Sequence, residues 1–540
     1  MDYSETIIKE LVKSRLKNRR DLESFKRKIA KKYKTTCPSN IELLQFYHKL
    51  IKKENLTLKN LFITRPIRSL SGIVNVSVLT KPYPCPGKCI YCPVEKGIPK
   101  SYVSGEPAVE RAKKLNYNPY LQVKKRLEML EIEGHPTDKV ELRIVGGTWS
   151  YYPKKYQEWF VKRCFEACNE SASLKIFNFQ FSIFNEFSIF NFQTLKKEQK
   201  KNEKAKHRMI GISIETRPDF IDISEIKSLR KLGVTMVELG VQSVYDDVLK
   251  LNLRGHGIKE TILATKLLKD AGFKVLYQMM PNLLGSDLKR DEKIFEELFK
   301  NPGFRPDLLK IYPCALLKET PLYKLYLKGK YEPYTESQII NFLKGIKKKI
   351  PYYVRIQRIT RDIPSPRIIK GGVKISNLRQ IIAKESKNEG WRCKCIRCRE
   401  VRGEYKPAEL VHLFRQDYQA SNGREIFLSF ENKTKDKLYS LLRLRVQKEN
   451  ELCSILSVLK NTALIRELHT YGKQIPLRGK SIFSPQHKGL GKKLIKEAEK
   501  IAKNEFGFKK IAVISAIGTR EYFRKLGYKL KDTYMVKTLF

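Results

Sequence analysis

Acidic residues are the scarce class in this 540-residue chain: 57 Asp and Glu stand against 108 Lys and Arg, a formal charge of +51. That imbalance argues against cationic partners and makes a polyanion, most commonly a nucleic acid, the expected macromolecular one. A lysine-rich proteome would account for part of the same excess. Long apolar runs are missing too. None approaches the roughly 20 residues of a membrane span, and Met1-Asp-Tyr-Ser-Glu does not open a signal peptide. The expectation is a soluble, cytoplasmic protein with no membrane partner. Nor does a disulfide framework fit, because six of the 11 cysteines stand in two tight groups, a pattern suited to a reducing compartment. The length calls for two to four domains.

What is present is organised around Lys81-Pro-Tyr-Pro-Cys85-Pro-Gly-Lys-Cys89-Ile-Tyr-Cys92-Pro93, a C-x3-C-x2-C spacing with no further cysteine until Cys164. Three thiolates on a four-iron cluster leave one iron open to another ligand. Zinc knuckles and chance clustering are the alternatives, but zinc usually takes four closed ligands built from C-x2-C pairs. The spacing resembles that of the radical S-adenosylmethionine (SAM) enzymes, in which SAM occupies the open iron. That resemblance implies a [4Fe-4S] cluster on Cys85, Cys89 and Cys92.

Upstream, residues 1–70 read as a basic helical region. Between Lys13 and Lys34 there are eleven Lys/Arg against Asp21 and Glu23, while Leu11, Leu16, Leu22, Phe25 and Ile29 recur at helical spacing. One face can pack while the other meets an RNA backbone or simply water. Residues 71–360 alternate strand and helix, with strands expected at 73–79, 140–145, 210–214, 236–239, 274–280, 308–311 and 353–356. The expectation is therefore a parallel sheet forming a partial TIM-type (β/α) barrel. Polar motifs fall at the C-terminal strand ends, where such barrels place their sites. Residues 173–207, with Phe181-Ser-Ile-Phe-Asn185 repeated as Phe187–Asn191 before a lysine-rich run, read as a low-complexity insertion, a loose loop or self-associating β segment.

Residues 361–410 form a linker with a second cluster, Cys393-Lys-Cys395-Ile-Arg-Cys398. Close thiolates among cations suit a soft metal. Zinc is the expectation, with His412 a candidate fourth ligand; three uncoordinated structural cysteines is the alternative. Residues 411–540 form another α/β unit, in which Gln486-His-Lys-Gly489-Leu-Gly491 opens a helix and offers backbone N–H groups to a pyrophosphate. With the strand at 511–515 and Arg520-Glu-Tyr522-Phe523, this unit looks like a GNAT acetyltransferase fold, which binds acetyl-CoA at that loop.

A radical SAM barrel joined to a GNAT-like domain resembles the elongator complex protein 3 family, including its stand-alone archaeal and bacterial members. Matching stretches include Cys85–Pro93, Val145–Thr148, Ile214–Asp219, Glu238–Ser243, Asn252–His256, Arg466–His469 and Gln486–Gly491. The resemblance implies an enzyme forming 5-carboxymethyluridine at the tRNA wobble position (U34). A SAM-derived radical takes hydrogen from the acetyl-CoA methyl group, the carbon radical attacks uridine C5, and the thioester is hydrolysed. SAM-positioning candidates are Gly146, Gly147 and Thr148, a close-approach loop, with Glu215 and Gln242 at strand ends. By resemblance, Lys154 reaches acetyl-CoA and has a catalytic role. CoA contacts include Glu467, Leu468, His469, Thr470, Gly489, Leu490, Gly491, Lys492, Tyr522 and Phe523. Where eukaryotic members often carry Tyr-Tyr, this chain has Tyr522-Phe523, so only Tyr522 can supply a catalytic phenol there.

The partners on this reading are tRNA, acetyl-CoA, an electron donor and, as an open alternative to a monomer, a second copy of the chain. Two rival functions differ in class: a protein lysine acetyltransferase, which would not need the cysteine loop, and a noncatalytic tRNA-binding scaffold, which would not need the cofactor motifs.

Overall fold

The computed structural model describes residues 4–14, 16–50, 56–170, 192–375, 377–403, 405, 408–447, 452, 456–477, 484–486 and 488–540. Short apolar runs rich in Val, Ile and Leu, each closed by a polar or glycine-containing turn, become the strands of a seven-stranded sheet. These are β1 (Val74–Leu79), β2 (Lys139–Val145), β3 (Arg208–Thr216), β4 (Met236–Gln242), β5 (Lys274–Met279) and β6 (Leu308–Ile311), then, after the short β7 (Ala315–Leu317), β8 (Arg355–Arg358). Every neighbouring pair in this sheet is parallel. Its edges, β1 and β8, do not pair with each other, so the curved sheet is a partial barrel. β7 and β9 (Ile368–Gly371) form a separate antiparallel ribbon.

Parallel strands covered by helices are usually apolar on both faces, and β4 is buried throughout. β1 differs. Val74, Val76 and Val78 are fully buried, while the alternating Asn75 and Ser77 line a cavity inside the sheet's curve. Helices on the outer side start on local signals. Asn118 accepts from the Leu121 N–H ahead of Pro119–Ile132, and Thr335 with Gln338 closes a capping box on Glu336–Lys349.

The N-terminal helices Ser4–Lys13, Arg19–Lys32, Asn40–Leu50 and Leu56–Phe62 enclose a small core of their own that includes Ile8, Leu22, Ile29, Leu44, Tyr47 and Phe62. The repeats at 181–191 lie outside the described residues. The later part of the segment read as an insertion is ordered: Phe192–Asn202 is a helix, with Leu195, Asn202 and Glu203 buried. Asn169 donates to the Glu198 carbonyl at 2.9 Å, and Glu203 pairs with Arg520 and Arg524 at 3.3 and 2.7 Å. The low-complexity reading rested on the aromatic repeat and the lysine-rich run after it; in the structure those lysines line the exposed face of the helix, and its buried face carries specific polar partners.

The second sheet contains β10 (His412–Ala420), β11 (Gly423–Glu431), β12 (Leu438–Val446), β13 (Ala463–Thr470), β14 (Lys510–Val513), β15 (Lys529–Lys531) and β16 (Tyr534–Thr538), ordered β10-β11-β12-β13-β14-β16-β15. It docks on the barrel at the N-terminal ends of the parallel strands. Asp307, fully buried just before β6, accepts from Arg466 Nη1 and Nη2 at 3.0 and 2.5 Å, from Lys269 Nζ at 3.3 Å and from the Val275 N–H at 2.9 Å. Arg443 stands 3.6 Å away and donates to the Tyr353 carbonyl at 2.7 Å. Tyr534 donates to the Ala271 carbonyl and Arg230 to the Thr533 carbonyl, at 2.8 and 2.7 Å. Around these contacts one apolar cluster runs from barrel residues such as Leu268 and Phe273 into Leu441, Leu464 and Ile514. No described helix is long and apolar enough to cross a membrane.

Burial alone would raise the Asp307 pKa, but Arg466, Lys269 and Arg443 together hold it well below the ordinary carboxylate value. A depressed folded-state pKa stabilises the protein above the unfolded value, near 4, and that stabilisation is lost as pH falls below it. Asp307→Asn, which leaves buried cations uncompensated, is expected to cost about 3–5 kcal/mol at pH 7. It should also flatten the loss of stability below pH ~4. Urea unfolding at pH 7 and at pH 3 checks both.

Candidate active site: a cysteine loop beside two adjoining cavities

The cysteine loop follows β1 at the C-terminal end of the barrel sheet and is built around a close approach. A Cβ placed on Gly87 would lie 3.5 and 3.6 Å from the Cys89 and Cys85 sulfurs and 2.8 Å from Arg217 Nη1. A side chain there would fill the space between the thiols. Gly146 is the second obligatory glycine: its φ is +131°, and an added Cβ would collide with Thr80 Oγ1. The same turn brings Thr148 Oγ1 to 3.8 Å from Cys85 Sγ.

Two arginines back the loop. Arg254, buried, directs Nη1 at Cys89 Sγ (3.5 Å) and donates through Nη2 to the Gly240 carbonyl (2.5 Å). Arg217 is fixed by a two-pronged pair with Asp219 at 2.9 and 2.7 Å. Burial opposes ionisation of Cys89, but Arg254 outweighs it and lowers the thiol's pKa; Cys92 is pushed up to about 11 by burial and by the Cys89 charge.

The donor set fits an iron–sulfur cluster: three thiols, a cradle free of side chain at Gly87, and cations to stabilise thiolate charge. The Cys393, Cys395 and Cys398 sulfurs are arranged differently, all lying within 4.8 Å of one another, as ligands of a single ion would; Cys85, Cys89 and Cys92 are not gathered so tightly. Lys347 donates to Cys398 Sγ at 3.5 Å. His412 is exposed at the start of β10 and does not belong to that group.

Beside Cys92, a cavity of about 450 Å³ occupies the curve of the barrel. Glu215 and Gln242, both expected from the sequence, line it. Glu215 is held by Tyr102 Oη (2.9 Å), Gln278 Nε2 (3.2 Å) and Lys310 Nζ (3.3 Å), and Lys310 also pairs with Glu238. Lys310, Gln278, Arg217 and Arg254 were not singled out from the sequence. A signal existed for the first two, because a charged or amide side chain inside an apolar parallel strand needs a polar lumen to face.

A second cavity of about 240 Å³ lies between the barrel and the C-terminal sheet, and Glu467, His469 and Tyr471 line it. Asn75, Arg126, Arg143 and Arg358 stand in the walls of both cavities. Glu467 accepts from Arg443 Nε at 2.8 Å and pairs with Lys274 at 3.4 Å; the His469 ring bonds the Ser71 carbonyl through Nε2 at 2.8 Å. Burial lowers the His469 pKa, keeping it neutral near pH 7.

The expected CoA residues therefore separate by strand alternation. Glu467 and His469 face the barrel cavity, whereas Leu468 and Thr470 face the helix Leu490–Lys500. A Cβ on Gly491 would lie 3.7 Å from Leu468 Cδ2, 3.7 Å from Thr470 Oγ1 and 3.2 Å from Tyr522 Oη. β13 and β14 pair only over 463–465 and 511–513, so β13 continues past its neighbour and leaves a splay beside this group. Gly489, with φ +80°, caps the helix, Leu490 is buried and Lys492 is exposed. Tyr522 is partly exposed and burial pushes its pKa up to about 12; Phe523 is buried in the apolar cluster, edge-on to Tyr522 and Tyr528. Lys154 is not brought to this group. It follows β2 at the opposite end of the barrel, pairs with Glu225 and lines neither cavity.

Comparison with known proteins places these features in context. The radical SAM superfamily pattern matches residues 83–298, and the radical SAM C-terminal domain pattern matches residues 306–388. A Methanocaldococcus infernus protein named tRNA uridine(34) acetyltransferase is 43% identical over 99% of this chain and 98% of its own length. Elongator complex protein 3 of Homo sapiens is 36% identical over 99% of this chain and 96% of its own. The solved structure of the archaeal Methanocaldococcus infernus Elp3 with an N-terminal deletion (1–46) is similar at a TM-score of 0.71 and 43% identity, covering 87% of this chain and all of that one.

The two cysteine groups are expected to load independently. After anaerobic reconstitution, Cys89→Ser should lose iron and inorganic sulfide while keeping any zinc. Cys395→Ser should keep about four irons per chain and lose zinc. Elemental analysis of both variants checks this.

Proposed function

The chain belongs to the family of elongator complex protein 3 and the tRNA uridine(34) acetyltransferases, and from that premise we propose that it modifies the wobble uridine of tRNA, forming 5-carboxymethyluridine from acetyl-CoA. One observation carries this reading: a cavity with Cys92 of the cysteine loop in its wall adjoins a cavity floored by the acetyltransferase-like strand β13, with four residues in the walls of both. A stand-alone lysine acetyltransferase has no use for that adjacency, and a noncatalytic scaffold has no use for either cavity.

When bound, the cluster and SAM supply a one-electron route to a carbon radical, and acetyl-CoA supplies the two-carbon unit. The protein's own task is placement. Cys85, Cys89 and Cys92 hold the cluster, and the Arg254 guanidinium offsets thiolate charge at Cys89. Gly146, Gly147 and Thr148 let backbone and hydroxyl approach SAM, while Glu215, fixed by three donors, and Gln242 offer it polar contacts. Leu468, Thr470, Gly489, Leu490, Gly491 and Lys492 receive CoA at the β13–β14 splay, the helix N-terminus accommodating its pyrophosphate. Tyr522, beside Gly491, would offer a proton to the thioester of bound acetyl-CoA, and its raised pKa keeps the phenol protonated as a donor. Glu467 and His469 face the barrel cavity, the side from which the uridine would approach. Zinc on Cys393, Cys395 and Cys398 braces the linker between the two domains.

Anaerobic incubation with SAM, a reductant, acetyl-CoA and tRNA, followed by nucleoside mass spectrometry, tests the assignment. Carboxymethyluridine that disappears in Cys89→Ser supports it; acetyl-lysine formation persisting in that variant, without a uridine product, overturns it in favour of protein acetylation. Tyr522→Phe is expected to lower product formation roughly 10²-fold with little change in the acetyl-CoA KM, as steady-state kinetics would show.

A further inference from the structure

Most charged groups in the two cavity walls are already matched. Glu106 pairs with Arg361 (3.2 Å), Glu141 with Arg143 (3.4 Å) and Asp362 with Arg358 (2.6 Å), while Glu215 and Glu238 share Lys310. Arg355 and Arg397 share Glu400, and Arg68 is taken by Glu133. Two guanidiniums are left over. Arg111, exposed at the rim of the larger cavity, and Arg126, half-buried in the wall of both, make no hydrogen bond or ion pair with any described residue.

Their nearest charged company is largely cationic. Burial together with Arg68 and Arg111 brings the Arg126 pKa down to about 10, and burial with Arg68 also lowers Arg111. Glu133 near Arg126 and Asp362 near Arg111 offset only part of this, each being already paired with another arginine; guanidiniums gathered with so little counter-charge raise the free energy of the unliganded protein, and an anion seated between them relieves that cost. They stand on consecutive helices, Pro107–Lys114 and Pro119–Ile132, and the second packs on β1, an edge of the partial barrel. A pyrimidine reaching the space shared by the cavities leaves its sugar–phosphate at their mouth.

We propose that Arg111 and Arg126 form a clamp for a backbone phosphate adjoining the target nucleotide of the substrate RNA. The clamp rests on the function proposed above. Phosphate could also come from CoA, but the glycine loop at 489–491 lies on the other side of β13 from the cavity wall that contains Arg126. RNA is the source to which the position points.

The test measures binding without turnover: anisotropy of a fluorescent anticodon stem-loop with the reconstituted full chain, titrated across salt concentrations. Relative to wild type, the Arg111→Gln/Arg126→Gln double variant should bind the RNA about 10-fold more weakly or worse. Its slope of log K against log salt should be shallower by roughly 0.7–0.9, the share of one phosphate contact. Arg126→Lys, which keeps the charge, should retain most of the slope and affinity, separating a clamp from a folding defect. Unchanged RNA affinity and slope in the double variant would overturn the clamp while leaving the enzyme assignment standing. Weakened acetyl-CoA binding with RNA binding intact would overturn it in favour of the CoA diphosphate. Failure of the wild-type protein itself to bind the stem-loop would instead strike at the function on which the clamp rests.

Discussion

A single buried carboxylate sets the relation between the two halves of this molecule. Asp307 sits at the base of the barrel with Arg466 and Arg443 from the C-terminal sheet and Lys269 from a barrel helix around it. None of these groups can be left alone in a dry interior, since an isolated buried charge costs far more than a satisfied one. The interaction is therefore directional as well as strong: it fixes where β12 and β13 lie beneath the parallel strands. Apolar packing supplies area around it, but apolar contact alone would tolerate sliding. With that register fixed, Glu467 and His469 form the floor of a cavity whose walls belong to the barrel.

The consequence is chemical economy. Parallel strands deliver the cysteine loop, the glycine turn and the polar strand ends to one side of the sheet, as barrels of this kind do. The docked domain closes the opposite end with a strand that presents different side chains to its two faces. Alternation along β13 makes it a partition: polar groups toward the barrel, and on the other face a slot beside the helix Leu490–Lys500, the place proposed for CoA. On that proposal radical generation and acyl binding approach one another without either site being rebuilt. The two cysteine groups show the same division. The widely set thiols near Gly87 suit a cluster that reacts; the tight trio suits an ion that only braces.

The large positive charge is not spread without purpose. Inside the cavities nearly every cation is answered by a carboxylate, which leaves the unanswered ones conspicuous. A net-charge figure cannot distinguish a paired arginine from a free one, and only the pairing carries information about an anionic ligand.

Much of the architecture was legible in sequence. Strands rich in β-branched residues with turn-bounded ends, such as β1 and β2, appear where periodicity put them, because local pattern and tertiary role agree there. The cysteine spacing, the glycine turn at 146–147 and the residues Glu215 and Gln242 were readable because their chemistry is written in short motifs. Less was visible where a residue's meaning depends on what faces it. Phe523 lay in a promising motif yet packs into a core. Lys154 stands at the other end of the barrel from Leu468, Thr470 and Gly491 and pairs with Glu225, and the lysine-rich stretch after residue 191 is a packed helix. Arg254, Lys310, Arg111 and Arg126 were five-donor or ammonium side chains among 108 cations until folding set some beside thiols or carboxylates and left others with none. Sequence alone determined the ligands and the strand–helix rhythm, since both depend on neighbours a few residues apart. The tertiary structure decided which charges are matched and which faces meet, because those depend on groups brought together from hundreds of residues away.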